Sequence, residues 1–388
     1  MRAIVVSRKP ARFAAARVAS EIDAGRGARV GLLRLKDLDP PALPGPDWVH
    51  VRPRLSGICG SDLATVDGRS SRWFEPVVSF PFTPGHEVVG DTDDGRRVVV
   101  EPVLGCAVRG IQPPCAGCAS GAHDRCERLA VGAIEPGLQT GYCCDTGGGW
   151  SEVLAAHKSQ LHDVADDISD EAAALIEPMA CAVHAALSTP TEGGVVAVLG
   201  AGTLGLGVIA AVGAHGHADR IVVAARHPEQ RRLAESLGAT DVVGDGELVR
   251  AVRRVTGSFA YDDGTLTGGA HVVFDCVGSS DSITDSVAMC RPGGTVVLVG
   301  MAANVQLDLT PLWQKQVRLQ GAYAYGVEPA LGGRRTFAVA TELVASRDLG
   351  RLLSATYPLD RYADAIDHAA HAGRRGGVKI AFDLRRNH

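Results

Sequence analysis

Two short glycine-flanked motifs place metal-binding side chains near the start of the chain. Residues Gly57–Asp62 read GICGSD and supply the thiol of Cys59, and residues Pro84–Glu87 read PGHE and supply an imidazole and a carboxylate. Zinc accepts these ligand types, and a catalytic zinc keeps one coordination position open for water or substrate. A buried cysteine and a structural histidine would explain either motif alone. The two motifs together, followed by the nucleotide fingerprint described below, favour a catalytic zinc site.

A second group of cysteines lies in a loop-rich segment further along the chain. Cys115 and Cys118 are separated by two residues, Cys126 follows after seven more, and Cys106 lies nine residues before Cys115. Four thiolates at such spacing are typical of a closed structural zinc site, in which the metal has no open position. We expect a cytosolic chain, and ten cysteines in a reducing compartment favour metal over disulfides. His123 competes with Cys106 as the fourth ligand.

The middle of the chain carries a nucleotide-binding fingerprint. The apolar run 195–199 predicts a buried strand, the next six residues read GAGTLG, and a helical segment follows. In this context Gly200 makes a tight turn, Gly202 admits a pyrophosphate and Gly205 lets the helix pack on the strand. The helix N-terminus, with Thr203 and Leu204, is expected to face the phosphates.

The end of the next strand bears on the choice of cofactor. An NAD-binding unit carries Asp or Glu there to accept the adenosine ribose hydroxyl, but this strand ends at Ala225 and Arg226 follows. A guanidinium can instead bind a 2′-phosphate in bidentate fashion. The sequence therefore predicts NADP, and NAD remains the alternative if Arg226 only stacks on adenine.

These motifs resemble the zinc-dependent medium-chain alcohol dehydrogenase superfamily, in particular its polyol and threonine dehydrogenase-like branch. The resemblance covers the chain except residues 8–30, expected to be a surface excursion, and the loop 106–115, where Gln112 stands at the usual place of the first cysteine. It implies an α/β fold in two domains. A GroES-like β-barrel catalytic domain with the zinc sites is expected at residues 1–180 and 325–388, and a Rossmann doubly wound parallel sheet at 181–324.

The resemblance also implies roles for the residues around the catalytic zinc. Cys59 and His86 would hold the metal together with a carboxylate, for which Glu87 and Glu177 compete and between which the metal would exchange during turnover. Ser61 would relay the alcohol proton, and Asp62 would orient the ligand histidine.

Further cofactor contacts come from the same resemblance. Val277 and the segment Val299–Met301 would meet the nicotinamide at the ends of two strands. Lys379, near the C-terminus, would reach a cofactor phosphate. The substrate pocket would be built near Ser61, from the loop 66–80, from Trp150 and from residues 323–325.

The implied reaction is reversible hydride transfer between a primary or secondary alcohol and NADP, giving an aldehyde or ketone. Many relatives carry a histidine five residues after the ligand cysteine, and here that position is Ala64. The departure favours a polyol or a specialised secondary alcohol over ordinary small alcohols. Two alternatives stay open: a zinc-free enoyl or quinone reductase, and a non-catalytic protein that binds zinc and nucleotide.

Composition limits the remaining possibilities. A chain of 388 residues is long enough for two domains, and 46% hydrophobic with 21% charged residues describes a folded protein. A net charge of −5 gives no electrostatic case for nucleic acid. The uncharged stretch 193–216 is interrupted by glycines in a strand-turn-helix pattern, which argues against a membrane span. We expect a cytoplasmic homodimer or homotetramer that acts on a small-molecule alcohol or carbonyl compound.

Overall fold

The computed structural model describes residues 1–385 and divides the chain into two compact units. The first unit comprises residues 1–177, 325–327 and the chain from 348 onwards, and the second comprises 178–324 and 328–347. The expected division differs from this one mainly at residues 328–347. These residues were assigned to the catalytic domain, but they pack with the nucleotide-binding unit.

The strands in chain order are β1 (Arg2–Val6), β2 (Leu33–Asp37), β3 (Trp48–Gly57), β4 (Val88–Thr92), β5 (Arg97–Val100), β6 (Leu154–His157), β7 (Leu161–Asp163), β8 (Val195–Leu199), β9 (Arg220–Ala224), β10 (Asp241–Val243), β11 (Ala270–Asp275), β12 (Cys290–Leu298), β13 (Arg318–Gly321), β14 (Val327–Glu328), β15 (Arg334–Arg335), β16 (Leu353–Tyr357) and β17 (Lys379–Asp383). The α-helices are α1 (Pro10–Ile22), α2 (Gly60–Val66), α3 (Ala116–Ala119), α4 (Asp170–Ala173), α5 (Ile176–Leu187), α6 (Thr203–Ala211), α7 (Pro228–Leu237), α8 (Leu248–Thr256), α9 (Ser280–Met289), α10 (Thr310–Gln314), α11 (Thr336–Ser346) and α12 (Tyr362–Ala370).

The first unit is built on a seven-stranded sheet in the order β16-β17-β3-β4-β5-β7, with β6 added beside β3. Only β16 and β17 pair in parallel, and the other neighbours are antiparallel. Side chains at alternating positions of β5 and β6 join others from β3 and β4 in one buried apolar cluster, which consists of Val51, Val88, Val98, Val100, Leu154 and Ala156. This is the expected barrel-like catalytic domain.

The segment 8–30 is more than the expected surface excursion. Pro10 begins α1 at its first position, where a missing N–H costs nothing, and the helix buries Ala16 in the core of the first unit. The carboxylate of the buried Asp67 accepts the backbone N–H groups of Gly25 and Gly27, so the chain after the helix is tied to the segment after α2. The helix belongs to the core because it brings apolar side chains of its own.

The second unit contains a six-stranded sheet in the order β10-β9-β8-β11-β12-β13, and every neighbouring pair is parallel. Its central strands are continuous apolar runs because helices cover both faces of a parallel sheet. The order reverses between β8 and β11, the place where doubly wound folds bind ligands at the carboxyl ends of the strands. The predicted fold class, a GroES-like domain with a Rossmann sheet, is confirmed.

In the described part of the chain, no helix combines the length and the apolar character that crossing a membrane requires.

Candidate zinc and nucleotide sites

The pairing of β3 with β4 brings the two predicted zinc motifs together. Ser56 lies opposite Val88 in the antiparallel register, and the N–H of Gly57 donates to the carbonyl of Glu87 at 2.9 Å. Cys59 follows the end of β3, and His86 and Glu87 are the two residues that precede β4. Residues separated by a long loop therefore share one end of the same strand pair.

Cys59, His86 and Glu87 form a compact group in which each side chain offers a ligand atom within 4.8 Å of the other two. His86 and Glu87 are almost fully buried, and Nδ1 of His86 has no hydrogen-bond partner among the described residues. A buried polar atom without a partner costs free energy, and a metal ion bound by this group of side chains would offset that cost. The donor set of thiol, imidazole and carboxylate fits a zinc ion.

Asp62 and Tyr142 surround His86 on its other side. Asp62 Oδ2 accepts the N–H of Cys59 at 3.0 Å, and its Oδ1 lies 3.6 Å from His86 Nδ1 and accepts the Tyr142 hydroxyl at 3.3 Å. Burial by itself lowers the pKa of His86, but Asp62 and Cys59 more than compensate and raise it. Asp62 thus lies where the resemblance placed an orienting acid. Tyr142 was not singled out from the sequence.

Lys379 competes with any metal ion for the carboxylate of Glu87. The Lys379 ammonium donates to Oε1 of Glu87 and contacts Oε2, and both side chains are at most 4% exposed. Gly57 makes room for this pair, since a Cβ there would lie 1.8 Å from Glu87 Oε2. Because β17 pairs with β3, Lys379 lies beside the group of Cys59, His86 and Glu87 in the first unit. Its positive charge is neutralised by Glu87. The predicted contact of Lys379 with a cofactor phosphate stays a prediction.

Glu177 stands outside the three-residue group, in the first turn of α5. Its Oε1 accepts a hydrogen bond from the hydroxyl of the buried Tyr325 at 2.9 Å. Burial is the main cause that raises the pKa of Glu177 to about 7, and the negative charge of Glu87 adds to it while His86 opposes it. The two predicted carboxylates are therefore electrostatic neighbours, and each has a hydrogen-bond partner of its own.

The four cysteines of the segment 106–126, here called the cysteine lobe, lie close together, as their spacing predicted. The ligand sulfurs of Cys106, Cys115, Cys118 and Cys126 all lie within 4.8 Å of one another. Sγ of Cys106 lies 3.8 Å from Sγ of Cys126, close to the edge of about 3.8 Å that a tetrahedron with metal–sulfur bonds of about 2.3 Å requires. His123, the alternative fourth ligand, is not part of this cluster.

Arg109 organises the loop around the lobe and was missed from the sequence. It is fully buried, and its guanidinium donates to five backbone carbonyls, those of Leu104, Val131, Ile134, Glu135 and Gly137. Nothing in its local sequence marks it, because its partners lie up to 28 positions away. Its role is to satisfy carbonyls that the irregular loop leaves unpaired.

In the second unit the fingerprint adopts the expected strand-turn-helix geometry. Gly200 has a φ of +87°, Gly202 is the N-cap of α6, and a Cβ on Gly205 would lie 1.8 Å from the carbonyl oxygen of Gly200. A Cβ on Gly202 would meet nothing within 4 Å, so open space lies in front of the helix start, beside Thr203 and Leu204. This cradle fits a pyrophosphate at the helix N-terminus.

The other predicted cofactor residues lie along the same edge of the sheet. Val277 and Met301 follow the ends of β11 and β12 and are 53% and 41% exposed, whereas Val299 is buried. Arg226 follows the end of β9, and its guanidinium donates through Nε and Nη2 to Asp245 Oδ2, at 2.9 and 2.6 Å. Asp245 was not anticipated from the sequence.

Two expected pocket residues are instead part of the interior of the first unit. Trp150 is fully buried, packs against Phe382 and donates its indole N–H to the carbonyl of Gly57 at 3.3 Å. Tyr325 is 1% exposed and is bound to Glu177. Both side chains therefore contact residues next to or within the predicted metal site, Gly57 for Trp150 and Glu177 for Tyr325.

Comparison with known proteins agrees with this geometry. The family model for the alcohol dehydrogenase GroES-like domain matches residues 45–166, and that for zinc-binding dehydrogenases matches 203–346. An L-threonine 3-dehydrogenase from Mesorhizobium japonicum is 28% identical over 86% of this chain and 91% of its own length. A sorbitol dehydrogenase from Bacillus subtilis is 27% identical over 84% and 89%.

A solved structure gives the same answer. A zinc-binding dehydrogenase from Sinorhizobium meliloti, determined with NADP bound, has a TM-score of 0.70 and 25% identity, and the match covers 93% of this chain and 98% of that one. With both domain models matched and both sites assembled, the chain belongs to the zinc-dependent medium-chain alcohol dehydrogenase superfamily, in its polyol and threonine dehydrogenase-like branch.

Proposed function

We propose that this protein transfers a hydride reversibly between a primary or secondary alcohol, polyol-like or specialised, and NADP. The observation that carries the proposal is the buried group of Cys59, His86 and Glu87, with Glu177 as an electrostatic neighbour, in a chain whose second unit has a complete nucleotide fingerprint. Neither a zinc-free reductase nor a structural zinc protein needs this combination. The relatives that act on threonine and sorbitol support an alcohol substrate with more than one polar group.

Each side chain of the group has a proposed task. Cys59 and His86 would hold a zinc ion, and Glu87 or Glu177 would complete its protein ligands. Zinc, when bound, supplies a Lewis acid that polarises the substrate oxygen and lowers the pKa of the alcohol. Asp62 holds the backbone of Cys59 and faces the ring of His86, so it fixes both ligands relative to each other.

Hydroxyl groups near Ser61 offer a proton path in place of the histidine that Ala64 replaces. The Ser61 side chain is close enough to Tyr142 to act on its pKa, and the Tyr142 hydroxyl lies 3.4 Å from Thr65 Oγ1. Thr65 Oγ1 in turn lies 3.0 Å from the hydroxyl of the half-buried Ser70. We propose that the alcohol proton leaves through Ser61 and this chain of hydroxyls toward solvent.

Replacing Thr65 tests the proton path. Thr65→Val keeps the shape and removes the hydroxyl, so we expect kcat to fall about 10- to 100-fold, at the lower end of what proton transfer contributes, with KM little changed. Thr65→Ser, which keeps the hydroxyl, should stay close to wild type. Full activity of the valine variant would rule this path out.

The direct test of the reaction is absorbance at 340 nm with polyols, amino alcohols, and aliphatic and aromatic alcohols, each with NADP and with NAD. We expect turnover with NADP, loss of turnover with a zinc chelator, and recovery when zinc is restored. Cys59→Ser should abolish activity, whereas Cys290→Ser, a buried thiol of the second unit, should not. Dinucleotide binding without turnover on any alcohol would favour the non-catalytic alternative.

We further infer that the protein is a homodimer or homotetramer. Strand β13 is an edge strand of the parallel sheet in the second unit, with one unpaired side. Apolar side chains near it are exposed: Leu319 by 39%, Trp313 by 77% and Leu309 by 59%. A sheet edge with exposed apolar side chains beside it can pair with another chain, and a second copy would cover these side chains.

A further inference from the structure

The carboxyl ends of β9 and β10 form a charged corner beside the nucleotide fingerprint. The two strands pair in parallel, with Ala224 opposite Val243, so Arg226 and Asp245 emerge next to each other two positions further on. Arg226 donates through both Nε and Nη2 to a single oxygen, Oδ2 of Asp245. These two nitrogens form the edge of the guanidinium that binds carboxylates and phosphates in bidentate fashion.

The surrounding residues hold this corner in place. Arg231, in the first turns of α7, donates to the carbonyls of Ala225 and Arg226 at 2.9 and 3.3 Å. Its guanidinium is therefore a second positive charge that is hydrogen-bonded to the backbone of the corner. Glu247 Oε2 accepts the N–H of Gly244 at 2.8 Å and shapes the loop that carries Asp245. Two cations and two carboxylates leave the corner with no net charge.

We propose that Asp245 is a specificity-determining residue that opposes the 2′-phosphate of NADP. This inference rests on the proposed use of Arg226 to bind that phosphate. A phosphate carries close to two negative charges at neutral pH and needs the same two nitrogens that the Asp245 carboxylate now occupies. It must displace the carboxylate and then lie next to its charge, whereas the uncharged 2′-hydroxyl of NAD meets no such penalty.

The consequence is a moderated cofactor preference. Arg226 attracts the 2′-phosphate and Asp245 repels it, so NADP is favoured over NAD by less than the guanidinium alone would provide. Because the Arg226 and Asp245 side chains are 65% and 61% exposed, the repulsion is screened by salt. The gain from removing Asp245 should therefore shrink as ionic strength rises.

The test is dinucleotide affinity of the full chain, measured by titration with NADPH and NADH in wild type, Asp245→Asn, Arg226→Gln and Asp241→Asn. Asp241→Asn is a matched control, since Asp241 pairs with Arg220 at the opposite ends of the same two strands. Adenosine 2′,5′-bisphosphate and adenosine 5′-monophosphate isolate the contribution of the 2′-phosphate. All four proteins should give the same circular dichroism spectrum, because the changed side chains are on the surface.

We expect Asp245→Asn to bind NADPH and the bisphosphate on the order of tenfold more tightly at low salt, with NADH and the monophosphate changed less than about twofold. Arg226→Gln should weaken the binding of NADPH, and Asp241→Asn should change the affinity for neither NADPH nor NADH. If Arg226→Gln weakens NADPH while Asp245→Asn leaves it unchanged or weakens it, the role of Asp245 is refuted and the NADP proposal stands. If wild type prefers NADH and Arg226→Gln changes nothing, the NADP proposal itself fails.

Discussion

At the scale of single residues, the predicted zinc site around Cys59, His86 and Glu87, called the zinc region below, depends on neighbouring groups that compensate its buried charges. Lys379 neutralises Glu87, Tyr325 binds Glu177, and Tyr142 donates to Asp62. Lys379 and Tyr325 therefore affect which of Glu87 and Glu177 is available to a metal, and Tyr142 binds the acid that faces His86.

The variant Lys379→Met tests how much Lys379 compensates the buried charge of Glu87. Removing one partner of a buried ion pair costs about 3–5 kcal/mol because the other charge is left uncompensated. We expect the metal-free variant to lose stability of this order in denaturant unfolding. With zinc the loss should be smaller, since Glu87 can then bind the cation and zinc binding stabilises the folded state.

The control for Lys379→Met is Lys315→Met in the second unit. Lys315 is also buried, but its ammonium donates to the carbonyls of Val287 and Ala288. Zinc should not reduce the stability loss of that variant. An equal loss for Lys379→Met with and without zinc would contradict a role of Lys379 at the metal site.

At the scale of elements, pairs of strands and helices bring distant residues into one place. The β3–β4 and β3–β17 pairings assemble the zinc region, and the Arg109 guanidinium holds the cysteine lobe. Helix α1 is attached in a different way. Its C-cap residue Asp23 contacts His371, the residue that follows α12.

Two acceptors face the ring of His371. Nε2 lies 2.9 Å from Asp23 Oδ1 and Nδ1 lies 2.9 Å from the carbonyl oxygen of Asp367, an arrangement that favours the doubly protonated, charged ring. The carbonyl contact with Asp367 and the bond with Asp23 raise the pKa of His371. The other charges at this point are Arg375, which binds the Asp367 carboxylate, and Arg26 near Asp23.

We expect His371→Gln to destabilise the protein at acidic pH more than at alkaline pH. A pKa that is higher in the folded state gives stability that is fully present below the unfolded value of about 6.5 and is lost as pH rises through the folded value. Denaturant midpoints of wild type and variant should therefore converge between pH 6 and pH 9. A difference that is constant or grows with pH would contradict this linkage.

At the scale of the whole molecule, the edge of the second unit's sheet is the feature that predicts assembly. Light scattering should give wild type a mass of two or four times 40.4 kDa. Leu319→Asp combined with Trp313→Ser should reduce the mass to that of one chain, because the double variant removes two exposed apolar side chains and places a carboxylate on the edge strand. Phe259→Ser is the matched control, since Phe259 is equally exposed, at 76%, and lies far from β13 in sequence.

A wild-type protein that remains a single chain at micromolar concentration would contradict the proposed oligomer. A control variant that dissociates as completely as the double variant would instead move the contact to the loop that carries Phe259.

The amino-acid sequence by itself determined the fold class, both groups of candidate metal ligands and the nucleotide fingerprint. These are recognisable because their chemistry depends on local spacing: two residues separate the candidate ligands Cys115 and Cys118, and the glycines of the fingerprint lie within the six residues Gly200–Gly205. The tertiary structure alone placed Lys379 on Glu87, Tyr325 on Glu177, Arg109 in the lobe and Asp245 on Arg226. Strand register and burial decide such contacts between distant positions, and nothing in the local sequence of either partner encodes them.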